Sequence, residues 1–136
     1  MSILLLTGAC VGSFINVVAW RLPREESVVW PGSHCPRCGC SVQWHDNIPV
    51  IGWLSLRGRC RSCNQPIAAR YPVVEALSAG LWLSSAWAIG LGADSISADL
   101  VTTLVNLFGG VLLISLLIPL VLIDIDHLWL PEPICR

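Results

Sequence analysis

Apolar residues run without a charge from about Ile3 to Trp20, again from about Tyr71 to Ile89 with Glu75 as the sole charge, and once more from about Leu100 to Ile123. Roughly 20 apolar residues make a helix long enough to cross a bilayer, and about 17 is the lower limit. The pattern therefore predicts three transmembrane helices. Between the first and second lies a polar stretch, Arg21 to Arg70, while Gly90 to Asp99 reads as a short connecting loop. The expected fold is an all-α membrane protein with about three spans and one structured loop. Its units are residues 1–20, 21–70 and 71–136.

Local signals agree with these boundaries. Pro23 disfavours helix at Leu22 and marks the exit from the first span. Pro31-Gly32, Asp46-Asn47-Ile48-Pro49 and Arg57-Gly58-Arg59 are turn signals, and Val50, Ile51, Trp53, Leu54 and Leu56 are apolar enough to lie against the membrane surface or the helix ends. Pro72 is tolerated in a first helical turn, whereas Pro119 predicts a kink in the third span. Gly8 and Gly12 form a small-xxx-small pair, with Ser13 and Asn16 on a similar face, which suits close helix packing and an interhelical hydrogen bond. Glu75 falls in the opening turn of the second helix. There it complements the helix dipole and is expected to pair with Arg70, unless it serves a substrate.

Composition settles the solvent. The chain is 54% hydrophobic and only 12% charged, with a mean hydropathy of +0.69, against about a quarter charged residues in soluble domains. All eight basic residues are arginines, and Arg21, Arg24, Arg37, Arg57, Arg59, Arg61 and Arg70 lie inside the polar stretch, faced there by Glu25, Glu26 and Asp46. Positive charge gathered between apolar helices places a loop in the cytoplasm, and so the N-terminus outside. A cleaved signal peptide fits poorly, because the charges follow the first apolar run. A nucleic-acid-binding reading rests only on this charge with Trp44 and Trp53, which a bilayer surface explains equally well.

Within the loop, Cys35-Pro36-Arg37-Cys38 and Cys60-Arg61-Ser62-Cys63 are separated by the 21 residues from Gly39 to Arg59. Two pairs at such a spacing can close a tetrahedron of thiolates round one zinc ion. Cys35, Cys38, Cys60 and Cys63 are thus the expected metal ligands, with Cys40 as an alternative to Cys38. His34 and His45 read as plain polar residues, Cys10 and Cys135 as free thiols. Disulfides are disfavoured in a reducing compartment, and a redox dithiol does not explain two pairs. A loop this short buries little core, so metal would be its principal staple.

The third span ends at Asp124-Ile125-Asp126-His127, followed by Leu130-Pro131-Glu132. Alternation of sides brings this end to the face of the zinc loop. Aspartic proteolysis needs two neighbouring carboxyl groups, one protonated and one ionised, to activate a water against a peptide carbonyl. Asp126, two residues from Asp124, would face another way on a helix.

Gly12-Ser13-Phe14-Ile15-Asn16-Val17-Val18 with Arg21-Leu22-Pro23 resembles the opening of the type IV prepilin peptidases. So do Ser33-His34-Cys35-Pro36-Arg37-Cys38, Asp46-Asn47-Ile48-Pro49-Val50-Ile51, Leu56-Arg57-Gly58-Arg59-Cys60-Arg61-Ser62-Cys63 and Arg70-Tyr71-Pro72-Val73-Val74-Glu75, in order and spacing over most of the chain. The resemblance implies a multi-pass aspartic protease of the bacterial inner membrane. Such enzymes remove the leader from type IV prepilins and type II secretion pseudopilins on the cytoplasmic side. Many also methylate the new N-terminus with S-adenosylmethionine, for which no binding residues stand out here.

The resemblance gives Asp124 the role of first catalytic aspartate. The second belongs to a Gly-x-Gly-Asp motif on a later helix, and no such motif occurs; Gly90-Leu91-Gly92-Ala93-Asp94 comes nearest, with the wrong spacing and on the outer side. Glu132 stands where the family usually has an aspartate. The chain is expected to be an N-terminal half, incomplete for hydrolysis alone unless Asp126, Glu132 or Asp124 of another copy in a homo-oligomer supplies the second carboxyl group. The alternative is a non-catalytic zinc-containing membrane adaptor that binds pilin leaders. The chain's expected partners are prepilin and pseudopilin substrates and the lipid bilayer, with no nucleic acid.

Overall fold

The structure, a computed structural model, describes residues 1–88 and 100–129. Ile89, the connecting loop, Leu130-Pro131-Glu132 and Cys135 lie outside the described residues. Three long helices carry the molecule: α1 (Ser2–Arg21), α3 (Arg70–Ala88) and α4 (Leu100–Trp129). A short helix, α2 (Ile51–Ser55), belongs to the loop between α1 and α3. Leu22 keeps helical angles, φ −58° and ψ −45°, despite the following Pro23; α1 passes directly into a single 3-10 turn, Leu22–Arg24, and the run stops at Glu25, whose φ is +58°. Pro72 sits in the first turn of α3, and α4 continues through Pro119 without interruption.

Helices α1 and α3 pack antiparallel along one stripe of small residues. A methyl group on Gly8 would lie 3.0 Å from Cα of Ala79, and one on Gly12 would lie 2.8 Å from Cα of Glu75. One turn further, the Asn16 side-chain amide donates to the Tyr71 carbonyl at 3.2 Å. The pairs 8–79, 12–75 and 16–71 thus keep one register over two turns. Glycines let the backbones approach, and the amide supplies an interhelical hydrogen bond where water is scarce. Gly8, Gly12 and Asn16 share this face as their spacing predicts. Ser13 does not: with Cys10, Phe14 and Val17 it lines a cavity of about 440 Å³ between α1 and residues 28–33.

Helix α4 runs antiparallel to α3. Arg70 at the start of α3 meets Asp126 near the end of α4 at 2.7 Å, and a methyl group on Gly110 would touch Cβ of Ser85 at 3.4 Å. The side chains buried between helices are mostly small or branched, among them Ile15, Ala19, Val74, Ala79 and Ala86. Outward the helices are greasy. Val101, Val105, Phe108, Leu112, Leu116 and Leu120 are all exposed, and none of the apolar window of α4 is buried within the chain. An apolar patch of that extent is untenable in water and ordinary in lipid. Two segments, Ser2–Arg24 and Val101–Asp126, are long and apolar enough to cross a membrane.

Residues 33–67 form a compact lobe held by backbone turns and side-chain ties. Trp53 on α2 lies over Gly58, whose φ of +66° and lack of a side chain let the indole approach; a methyl group there would be 2.7 Å from the ring. The indole N–H donates to the Ile67 carbonyl at 3.0 Å. Behind the lobe, Arg21 is buried and donates to the carbonyls of Ser27 and Gly32, at 2.9 and 3.4 Å, tying the end of α1 to the loop.

Candidate metal centre and the polar hub of the third helix

The four predicted cysteines converge. Sγ atoms of Cys35, Cys38, Cys60 and Cys63 all lie within 4.8 Å of one another, with Cys35 and Cys63 3.8 Å apart. Thiolates at about 2.3 Å from a tetrahedral zinc are separated by about 3.8 Å, so the donor set fits that ion in number, chemistry and spacing. Two knuckles deliver the ligands. In the first, the Cys35 N–H donates to the Cys40 carbonyl, Gly39 N–H to Cys35 and Val42 N–H to Ser33; in the second, Cys60 donates to Gln65, Asn64 to Cys60 and Ile67 to Gly58. Each bond of the second knuckle repeats one of the first 25 residues on. The left-handed turn that each knuckle needs falls on equivalent positions, Gly39 (φ +70°) and Asn64 (φ +57°), the two residue types that adopt it at least cost.

Electrostatics explain why this cluster wants a cation. The N–H groups of Cys38 and Arg37 bring the Cys35 thiol down to about 6, and those of Cys63 and Ser62 lower Cys60 likewise. Their pair-mates go the other way. Although the Cys40 N–H pulls it down, Cys38 is pushed up to about 12 by desolvation and by the thiols of Cys40, Cys63 and Cys35. Cys63 is raised too, the pull of the Gln65 N–H being outweighed by desolvation and the neighbouring thiols. The knuckles thus stabilise one thiolate per pair, and a divalent ion is what allows all four to ionise together.

The remaining candidates fall outside the cluster. Cys40 lends its carbonyl, His34 Nδ1 lies 3.0 Å from the Gly32 carbonyl, and His45 sits 3.7 Å from Asp46. Asp46 is the lobe's anchor: its side chain is 3% exposed and receives Nε and Nη2 of Arg61 at 2.7 and 2.6 Å. The hydrogen bonds and charge of Arg61 hold its carboxyl group below the usual carboxylate range.

On the helices, Asp124 is exposed, while Asp126 receives Nη1 of Arg70 on both oxygens, at 2.7 and 2.8 Å. The expected Arg70–Glu75 pair is therefore not formed. Glu75 is 8% exposed, turned toward α1 and the lobe, and its Oε2 accepts the Val50 N–H at 2.6 Å. The registers of α3 and α4 set Asp124 about level with Pro72, with Glu75 about 5 Å further along the axis. Sequence reasoning missed the Asp46–Arg61, Arg70–Asp126 and Val50–Glu75 contacts. The signal available for the last was a lone carboxylate inside an apolar run.

The family model for the bacterial peptidase A24 N-terminal domain matches residues 6–89. The chain belongs to that family. It is 46% identical over 128 residues to a prepilin leader peptidase/N-methyltransferase of Myxococcus xanthus, covering 94% of this chain and 35% of the relative. The Klebsiella pneumoniae protein of the same name is 39% identical over 137 residues, covering 96% and 55%. A type 4 prepilin-like proteins leader peptide-processing enzyme of Escherichia coli is 35% identical over 150 residues, covering 92% and 49%. The chain spans between about a third and about half the length of these curated relatives. No solved structure matches it. In the bacterial peptidase A24 family, then, the matched domain contains both knuckles and the whole α1–α3 contact.

Proposed function

We propose that this chain is the metal-clamped N-terminal part of a prepilin leader peptidase, cutting type IV prepilins and type II secretion pseudopilins at the cytoplasmic face of the bacterial inner membrane. In this reading α1, α3 and α4 all cross the bilayer, the N-terminus is outside, and the arginine-rich lobe is cytoplasmic. The family membership carries the reading. The geometry supports it: the Arg70–Asp126 pair brings the end of α4, and with it Asp124, to the side of the bundle that bears the lobe.

Asp124 is the carboxyl group assigned to hydrolysis, and Cys35, Cys38, Cys60 and Cys63 would hold a structural zinc ion. Such a closed site supplies folding energy rather than chemistry, because it leaves no open position. A second carboxyl group must approach Asp124 so that one accepts a proton from water while the other donates to the scissile carbonyl. Asp126 is poorly suited, since Arg70 occupies both its oxygens. The partner is thus sought in the Gly-x-Gly-Asp segment that the family carries on a later helix, or in a second copy. N-methyltransferase stands beside leader peptidase in the name of these relatives; in this reading S-adenosylmethionine would be the methyl donor, and no residue of this chain is assigned to it.

The test is a chimera in which this chain replaces the matching N-terminal part of the Myxococcus xanthus relative. Leader removal from a prepilin, read as a mobility shift, is expected, and Asp124→Asn is expected to abolish it. Undiminished cutting by that variant would refute the assignment. The competing adaptor reading predicts leader binding without cleavage even in the chimera, lost when the metal is removed.

A further inference from the structure

Between the two knuckles, where the metal lobe faces the helices, the chain carries a strained backbone position. Val50 has φ +61° and ψ −50°, at the centre of a turn closed by the Ile51 N–H on the Pro49 carbonyl at 2.6 Å. This is a γ-turn of the rare positive-φ kind. A β-branched residue is among the least suited to it. Strain of this sort persists only where the surroundings over-determine it, and it gathers at clamps and switches. What holds Val50 is its own N–H, which points out of the turn onto Oε2 of Glu75.

Both ends of this short segment are tied. At one end the Asp46 carboxylate is gripped by Arg61, which lies between Cys60 and Cys63 of the second knuckle. At the other, Glu75 projects from α3 where Gly12 of α1 presses against its Cα. Peptide hydrolysis as assigned above leaves Glu75 unused. A nearly buried carboxylate with a single backbone partner costs the fold more than an apolar residue of similar size would.

We propose that residues 46–50 are a tensioned link through which the metal state of the cysteine cluster sets how the lobe seats on the helix pair, with Glu75 as its positioning residue. Closing the second knuckle orients Arg61 and fixes Asp46. Fixing Asp46 delivers the Val50 N–H to Glu75 and keeps the γ-turn wound. Opening the knuckle frees Asp46, and the turn relaxes off the helices. The link rests on the cysteines binding metal and is independent of the peptidase assignment.

Amide hydrogen exchange on the full chain in nanodiscs, with zinc content measured in parallel, tests it. Removing zinc with a chelator is expected to speed exchange across Val50–Leu54 by about tenfold or more. Zinc-loaded Asp46→Ala is expected to exchange as fast as the chelated wild type while still holding its metal. Glu75→Ala should do the same, and Glu75→Gln, whose amide oxygen still accepts the Val50 N–H, should restore slow exchange. Where Glu75→Ala does not fold, Asp46→Ala and Glu75→Gln carry the test. Slow exchange surviving chelation, or in zinc-loaded Asp46→Ala, would overturn the proposal. Loss of cleavage in Asp124→Asn, with exchange across Val50–Leu54 unchanged, would bear on the peptidase reading alone.

Discussion

Replacing Gly12 by alanine is the sharpest test of the α1–α3 packing. The added methyl group would meet Cα of Glu75 at 2.8 Å, Cβ of Ser78 at 2.9 Å and the Val74 carbonyl oxygen at 3.1 Å. Carbon atoms rest at about 3.5–4.0 Å from one another, so the helices must part by roughly 0.7–1 Å along this stripe. Two of the three obstacles are backbone, which cannot swing aside. Overpacking of this kind costs about 1–3 kcal/mol, against a gain of up to about 1 kcal/mol from the better helix propensity of alanine. Gly109→Ala isolates the propensity gain, because nothing lies within 4 Å of the site. The two variants should therefore differ by about 1–3 kcal/mol, a factor of about 5 to 150 in the unfolding constant. Parallel denaturation in mild detergent, followed by tryptophan fluorescence, measures the difference. Coincident unfolding of Gly12→Ala and Gly109→Ala would refute the close approach of α1 to α3.

Two further outcomes follow from the lobe. Cys60→Ser should lower zinc affinity by more than the about 10- to 100-fold that loss of an outer-shell partner costs, while Cys40→Ser, outside the four-sulfur cluster, should leave one zinc per chain; equal metal loss in both would contradict the ligand set. Because Arg61 lowers the Asp46 carboxyl group, the ion pair contributes its full stability above the ordinary carboxylate range, about pH 4, and loses it as the pH falls through the lowered value. Wild type should therefore show an acid-dependent loosening of α2, followed by exchange, that Asp46→Asn lacks at every pH; identical profiles at matched zinc content would count against the pair.

The sequence made the helices and the knuckles legible for simple reasons. Apolar runs of bilayer length need no partner to be recognised, and two Cys-x-x-Cys pairs point to their shared ligand by spacing alone. The 25-residue repeat of the knuckles emerged only with their hydrogen bonds, which put Gly39 and Asn64 at equivalent positions. The polar contacts were not legible. Glu75 finds a backbone N–H 25 residues earlier that only an unusual turn exposes, and Arg70 finds Asp126 across 56 residues, where proximity along the chain had suggested Glu75. Charge pairing between helices follows from register, and register follows from which glycines meet which backbone. Spacing named Gly8 and Gly12 as a contact surface without naming α3 as the helix they touch.

These contacts converge on the first turns of α3. Arg70 holds the end of α4, the Tyr71 carbonyl takes the amide of Asn16 from α1, and Glu75 takes the Val50 N–H from the lobe. Fewer than two turns of helix thus fix three neighbours, each by a polar bond, and the two at Tyr71 and Glu75 are part-buried and costly to leave unmade. A closed four-cysteine site performs no chemistry itself. If the lobe acts on Asp124, one path runs through this hub, because α3 holds both the lobe and the end of α4; the other runs through α1, which also packs on α4 and is tied to the loop by Arg21. Disturbing the hub should therefore displace Asp124 without touching it, whereas disturbing the outward face of α4 at Phe108 or Leu112, both exposed, should not.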